Sequence, residues 1–190
     1  MREWTDLFRP SDGSSAPVRR FTVLKKEGHP ILYLPQDGRM AETTLRLYPA
    51  QTLMARTLVR LLRICSWMGL WFSSETRNVP IDESSAFGGF LKSLVPGSQN
   101  VPSFGVLGGN IKVVGQRHAL LLFDAAGNPA AVVKVGTSKE ARQLIRAEQD
   151  FFFPQRPSFP GLPEAFTFYD DKDASAIAYR YVEGSSPTLQ

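Results

Sequence analysis

A lysine and a glutamate are the residues of this chain whose types and spacing could do chemistry. Lys134 lies in the apolar, strand-like run AAVVKVG, and Glu148 follows in the helix-like run LIRAEQDFF. A lysine fixed on a strand can hold a phosphate, and a glutamate on a packed helix can keep that lysine extended and charged. The same two residues could instead be an edge-strand lysine and a solvated helix glutamate. The spacing leaves both interpretations open.

The elements that must position this pair follow from alternation and turn residues. A strand is predicted to enter a tight glycine turn, followed by a long strand, a hairpin turn at AAGN and a returning strand that carries Lys134. Thr137 or Ser138 is predicted to cap a helix that ends before Pro154. Two further strands, AFTFYD and ASAIAYRYVEG, are predicted to form a hairpin.

This order of elements resembles the N-terminal lobe of the protein-kinase-like fold, over about residues 101–184. More narrowly, it looks like the aminoglycoside phosphotransferase and choline kinase type. The resemblance implies ATP with magnesium as the cofactor, a phosphate-binding lysine with its helix glutamate, a glycine turn over the phosphates, and a hinge whose backbone holds adenine. The cofactor-binding residues that it implies are Lys134, Glu148, Gly108, Gly109, Asn110, Val182, Glu183 and Gly184.

The sequence departs from this family in two ways. The run GVLGGN lacks the G-x-G-x-x-G spacing of protein kinases. The catalytic aspartate after a histidine and the magnesium-binding aspartate belong to a C-terminal lobe. Neither His29 nor His118 begins an H-x-D motif, and the chain stops at Gln190. We therefore predict no catalytic residue, no metal ligand and no phosphate transfer for these 190 residues.

Two functions remain open for such a lobe. The chain could be the N-terminal part of a kinase-like small-molecule phosphotransferase, with the missing C-terminal lobe as its partner. Alternatively, it could be a stand-alone, non-catalytic interaction module that dimerises or docks a protein through the exposed underside of the lobe.

Composition narrows the class of protein. Hydrophobic residues make up 43% of the chain, which allows a packed core, and the net charge of +4 is too small to suggest a nucleic-acid partner. The single cysteine, Cys65, excludes a disulfide within the chain, and a cytoplasmic location is predicted.

The predicted fold class is α+β, with an antiparallel sheet of about five strands and one packed helix, preceded by a small mixed α/β region. The predicted divisions are a flexible arm at 1–20, an N-terminal α+β region at 21–72, a linker at 73–100 and the kinase-like lobe at 101–190.

A basic helix is predicted before the linker. Arg56, Arg60 and Arg63 fall on one face. An apolar face is formed by Leu53, Leu58, Leu61, Leu62 and Cys65, and we interpret Cys65 on that face as a small core residue. The helix could lie on an anionic membrane, with Trp67, Trp71 and Phe72 at its end. We favour a solvated arginine face with core-packed aromatics, so no peripheral membrane contact is expected.

Overall fold

The computed structural model describes residues 3–9, 16–50, 52–70, 75–109, 113–153 and 163–183. Within these residues, eight strands form one antiparallel sheet in the order β3-β1-β2-β4-β5-β6-β8-β7. The strands are β1 (Val18–Lys26), β2 (His29–Pro35), β3 (Thr76–Pro80), β4 (Ser103–Leu107), β5 (Arg117–Phe123), β6 (Pro129–Gly136), β7 (Ala165–Asp170) and β8 (Ser175–Arg180).

Four α-helices accompany the sheet in the described part of the chain. They are α1 (Gly38–Leu45), α2 (Leu53–Trp67), α3 (Ala86–Ser93) and α4 (Lys139–Phe152), and a 3₁₀ helix spans Trp4–Phe8. Each α-helix begins after a residue whose side chain accepts hydrogen bonds from first-turn backbone N–H groups. These capping residues are Asp37, Thr52, Ser85 and Ser138.

The helices lie on both faces of the sheet. On one face, Trp4 and Phe8 of the 3₁₀ helix join Phe87 and Leu91 of α3 in the main hydrophobic core. On the other face, α1 packs on β2 and β4, while α4 packs on β6 and β8. Because α2 packs on α1, it forms an outer layer above that half of the sheet.

The predicted fold class is correct in its coarser part. The chain is α+β with an antiparallel sheet, but about five strands with one helix is wrong. The reason is the pairing of β2 with β4, through Leu32 opposite Leu107 and Tyr33 opposite Val106. Because β2 pairs with β4, the backbone hydrogen bonds of the sheet continue from the predicted lobe to the N-terminal strands. Strands β1 to β3 and β4 to β8 therefore form one sheet.

Two segments predicted to be a flexible arm and a linker, the latter with one short helical turn near residues 90–94, contribute to the core. In the predicted flexible arm, Trp4 and Phe8 are buried. In the predicted linker at 73–100, β3 pairs with β1, and α3 buries Phe87 and Leu91. The buried Phe87 and Leu91 lie four positions apart, as on one face of a helix, but the segment is rich in glycine and serine, which favoured the linker interpretation.

Candidate functional site: a lysine–glutamate pair beside a glycine turn

Lys134 lies in the interior of the sheet. Its strand β6 is flanked by β5 and β8, with Lys134 opposite Ala119 and Ile177. The neighbouring Val133 and Val135 are fully buried on the other face. The interpretation of Lys134 as an edge-strand lysine is therefore wrong.

Glu148 reaches Lys134 from helix α4. The helix buries Ala141 and Ile145 against the sheet, and Glu148 follows Ile145 by three residues, which places it on the same side of the helix. The Nζ atom of Lys134 donates to Oε1 of Glu148 at 2.5 Å. The predicted ion pair is present.

Two further residues complete the cluster around Glu148. The hydroxyl of Tyr179 donates to Oε1 at 2.5 Å, and Nη1 of Arg117 donates to Oε2 at 3.3 Å. The Nζ atom of Lys134 also lies 4.8 Å from the centre of the Tyr179 ring, a cation–π contact. Burial, followed by the hydrogen bond and negative charge of Glu148, raises the pKa of Tyr179 far above its usual value.

Arg117 and Tyr179 were not among the predicted site residues, although the alternation of side chains along the strands indicates their position. Ala119 and Ile177 are the partners of Lys134 in the sheet. Residues two positions apart on a strand share a face, which puts Arg117 and Tyr179 on the face of Lys134. Finding them required the strand register, which the sequence alone did not provide.

The cluster carries excess positive charge. Two cations, Lys134 and Arg117, share one carboxylate, which leaves a net charge of +1. The side chain of Lys134 is 39% exposed, whereas that of Glu148 is only 19% exposed. Because an ammonium group has three N–H donors, Lys134 can bind an anion while it remains bonded to Glu148.

An open groove of about 360 Å³ brings Lys134 and the glycine turn together. Its lining includes Gly109, Gln116, Arg117 and Lys134. The side-chain nitrogen of Gln116 donates to the carbonyl of Gly109 at 3.0 Å and ties the two sides of the turn together. The volume lies within the range of small-molecule sites. Asn110 lies outside the described residues.

Both glycines of the turn allow close backbone approach. A Cβ atom on Gly109 would lie 2.1 Å from the carbonyl oxygen of Arg117, and one on Gly108 would lie 3.2 Å from that of Pro30. The backbone N–H of Gly108 donates to Ile31 at 2.8 Å. The tight-hairpin interpretation therefore accounts for both glycines without a ligand, and their role in phosphate binding stays a prediction.

We expect Gly109→Ala to destabilise the protein by about 1–3 kcal/mol, since the new methyl group overlaps the Arg117 carbonyl and forces the backbone to move. Gly89→Ala is the matched control, because a Cβ there has no neighbour within 4 Å and the residue lies inside α3. The control should leave stability unchanged or raise it by about 0.5–1 kcal/mol. Urea unfolding followed by circular dichroism measures both changes, and equal stabilities would refute the overlap.

The predicted adenine hinge lies beside α1. Glu183 accepts from Nη1 of Arg46 at 2.7 Å, and Val182 is largely exposed. Thr44 of α1 lies directly over Gly105 of β4. The strand register places Gly105 on the same face of the sheet as Lys134. Helix α1 therefore covers part of the sheet face that carries Lys134. Gly184 lies outside the described residues.

No family model, curated protein sequence or solved structure matches this chain. Among the described residues, no group of three or more His, Cys, Asp and Glu side chains is placed to hold a metal ion.

Proposed function

We propose that this chain binds the phosphates of ATP as the N-terminal part of a kinase-like small-molecule phosphotransferase. The observation that supports this best is the 2.5 Å pair between Lys134 and Glu148 at the groove beside the glycine turn. A solvated helix glutamate would not be held by a lysine, a tyrosine and an arginine together.

Lys134 and Arg117 would supply the charge that the phosphates require. Glu148 would hold Lys134 extended, and the Tyr179 hydroxyl would fix the shared oxygen of Glu148. A phosphate oxygen would then take the remaining N–H donors of Lys134 and the outer edge of the Arg117 guanidinium. Magnesium, which we assign to no described residue, would arrive with ATP.

Adenine binding at the predicted hinge would require α1 to move away from it, which breaks the ion pair between Arg46 and Glu183. The Arg46–Glu183 pair is exposed, and such surface pairs contribute only about 0–1 kcal/mol. The phosphate end of the groove is lined by other residues and stays accessible while the pair is formed. We therefore infer that the phosphates dominate nucleotide binding to this chain, and that phosphate transfer needs groups from a C-terminal lobe.

Replacement of Lys134 by methionine tests this function. We expect calorimetric titration with ATP to show at least about tenfold weaker binding for Lys134→Met, because a charge-assisted hydrogen bond to phosphate is lost. Lys172→Met removes an exposed lysine from the β7–β8 turn and should bind ATP like the parent chain. Adenosine, which lacks phosphate, should bind the parent chain and Lys134→Met equally weakly.

Two results would overturn the proposal. One is the absence of ATP binding at millimolar concentration by the parent chain. The other is equal binding by Lys134→Met, with circular dichroism showing that the variant is folded. Phosphate transfer by the isolated chain would instead contradict only the assignment of catalysis to a C-terminal lobe.

A specific observation also favours the second candidate, an interaction module, but on a surface other than the predicted underside of the lobe. Helix α2, which precedes the predicted lobe, exposes apolar side chains, among them Met54 and Trp67. In this candidate, the Lys134 cluster would be a structural feature of the sheet, and Lys134→Met would change stability without changing any ligand affinity.

A further inference from the structure

Helix α2 presents an apolar face to solvent. More than half of each of six apolar side chains on or just after this helix is exposed, with Met54 at 83% and Trp67 at 68%. These six, which we call the outer face of α2, are Met54, Leu58, Leu61, Ile64, Trp67 and Met68. The opposite side of the helix holds the buried Ser66 and the partly buried Leu62. Cys65, four residues after Leu61, is buried near the C-terminal end of the helix.

This finding reverses part of the sequence-based interpretation. Leu58 and Leu61 were expected on a buried face, and Trp67 was expected in the core, but all three are exposed. Trp71 and Phe72 lie outside the described residues. Apolar side chains contiguous over several helical turns are uncommon on a protein surface and indicate an interaction site.

The border of the outer face is basic. A groove of about 710 Å³ between α1 and α2 is lined by four arginines, Arg39, Arg46, Arg60 and Arg63, and by one carboxylate, Glu42. Glu183, beside the groove, pairs with Arg46 at 2.7 Å, so four positive charges against two negative charges leave +2. Arg63 lies 2.5 Å from Glu42 and Arg46 lies 3.4 Å from it, so the Glu42 carboxylate is already shared. Ile64 and Trp67 line the same groove, which joins it to the outer face.

We propose that the outer face of α2 docks on an anionic lipid surface, with the arginines of the groove bound to lipid phosphates. The charge pattern favours an anionic lipid surface as the partner of this face, because residues 52–70 contain three arginines and no aspartate or glutamate. None of the helices described here is both long and apolar enough to cross a bilayer. The contact is therefore an in-plane one, in which apolar side chains enter the headgroup region by about 5–10 Å.

A second copy of the chain fits this face less well than a lipid surface. Two-fold self-association places the same surface patch on both sides of the interface. Arg60 is the middle residue of α2, so antiparallel pairing about its centre would bring the two Arg60 side chains together. Like charges at an interface cost binding energy, whereas lipid phosphates would compensate them.

Vesicle flotation tests the proposal on the 190-residue chain. We expect the chain to float with vesicles of phosphatidylcholine and phosphatidylglycerol in equal parts at low salt, and to stay unbound with phosphatidylcholine alone. High salt should reduce the binding, since basic residues near an anionic surface act through a screened potential. The fluorescence of Trp67 should shift to shorter wavelength on binding, and Trp67→Phe should remove that shift.

Paired variants separate the lipid contact from general effects of charge. Arg60→Glu should weaken partition by at least about tenfold, whereas Arg20→Glu, the same charge reversal at an exposed site on β1, should change it by less than about twofold. Leu61→Glu should abolish partition, whereas Val18→Glu, at a 62% exposed valine on β1, should not.

Three results would overturn the proposal. The first is failure of the parent chain to bind the anionic vesicles, and the second is equal binding by Arg60→Glu and Arg20→Glu. The third is sedimentation of the parent chain as a dimer that Leu61→Glu converts to a monomer, which would assign the outer face to a second copy. Neither ATP nor Lys134→Met should alter vesicle binding, so this proposal and the nucleotide proposal can fail separately.

Discussion

Replacement of Trp4 by alanine is expected to lower the free energy of unfolding by about 3–5 kcal/mol. The side chain is 1% exposed and makes edge-on contacts with four aromatic rings, at centroid distances from 5.2 to 6.2 Å. Its removal would leave a cavity and also cost the aromatic contacts themselves. Urea unfolding followed by circular dichroism measures the loss, which is a large fraction of the stability of a typical domain.

Trp67→Ala is the matched control, because it removes the same side chain from a site that is 68% exposed. That variant should change the free energy of unfolding by less than about 0.5 kcal/mol while weakening vesicle binding. A loss of less than about 1 kcal/mol for Trp4→Ala would contradict the buried position of Trp4 and support the prediction that residues 3–9 belong to a flexible arm.

The local elements were largely predictable from the sequence. The strand around Lys134, the hairpin turn at Gly127 and the cap at Ser138 all lie where turn residues and alternation placed them. Each depends on residues close together in the chain. Gly127 adopts a positive φ of 81°, and the hydroxyl of Ser138 accepts from the backbone of Ala141.

The pairing of Lys134 with Glu148 was predicted as one of two alternatives, but its surroundings were not. Whether a strand lysine is exposed depends on which strands flank it, and that is set by long-range register. The same register brings in Arg117 and Tyr179, at sequence separations of 31 residues each from Glu148. Local periodicity carries no information on such pairings.

The errors in the first hundred residues have a common cause. Apolar periodicity identifies a face of a helix or strand without showing what covers that face. The buried Trp4 lay in a segment with several Pro, Gly and Ser residues and was assigned to solvent, whereas Leu58 and Leu61 lay on an apolar face and were assigned to the core. The first assignment rested on the composition of the segment around Trp4, and the second on the periodicity of the helix. Neither property shows which other elements pack against these side chains.

Acidification from pH 7.5 to pH 5.0 is expected to lower the stability of this protein by about 2 kcal/mol through His118 alone. Burial lowers the pKa of His118 to about 4 in the folded chain, and Glu3 offsets that effect only in part. The ordinary value is about 6.5, so the unfolded chain takes up a proton first as the pH falls. The stabilisation from a neutral His118 is fully present above pH 6.5 and is lost, at about 1.4 kcal/mol per pH unit, as the pH falls toward 4.

His118→Leu should remove this pH dependence, because leucine does not titrate. The Nδ1 atom of His118 is buried and lacks a hydrogen-bond partner among the described residues, so the substitution breaks no described hydrogen bond of that atom. His29→Gln is the control, since His29 is exposed and is the other histidine of the chain. Urea unfolding at several pH values should show a shallower decline for His118→Leu and an unchanged decline for His29→Gln. Parallel declines in all three proteins would mean that His118 is protonated as readily in the folded chain as in the unfolded one, and hence that water reaches its ring.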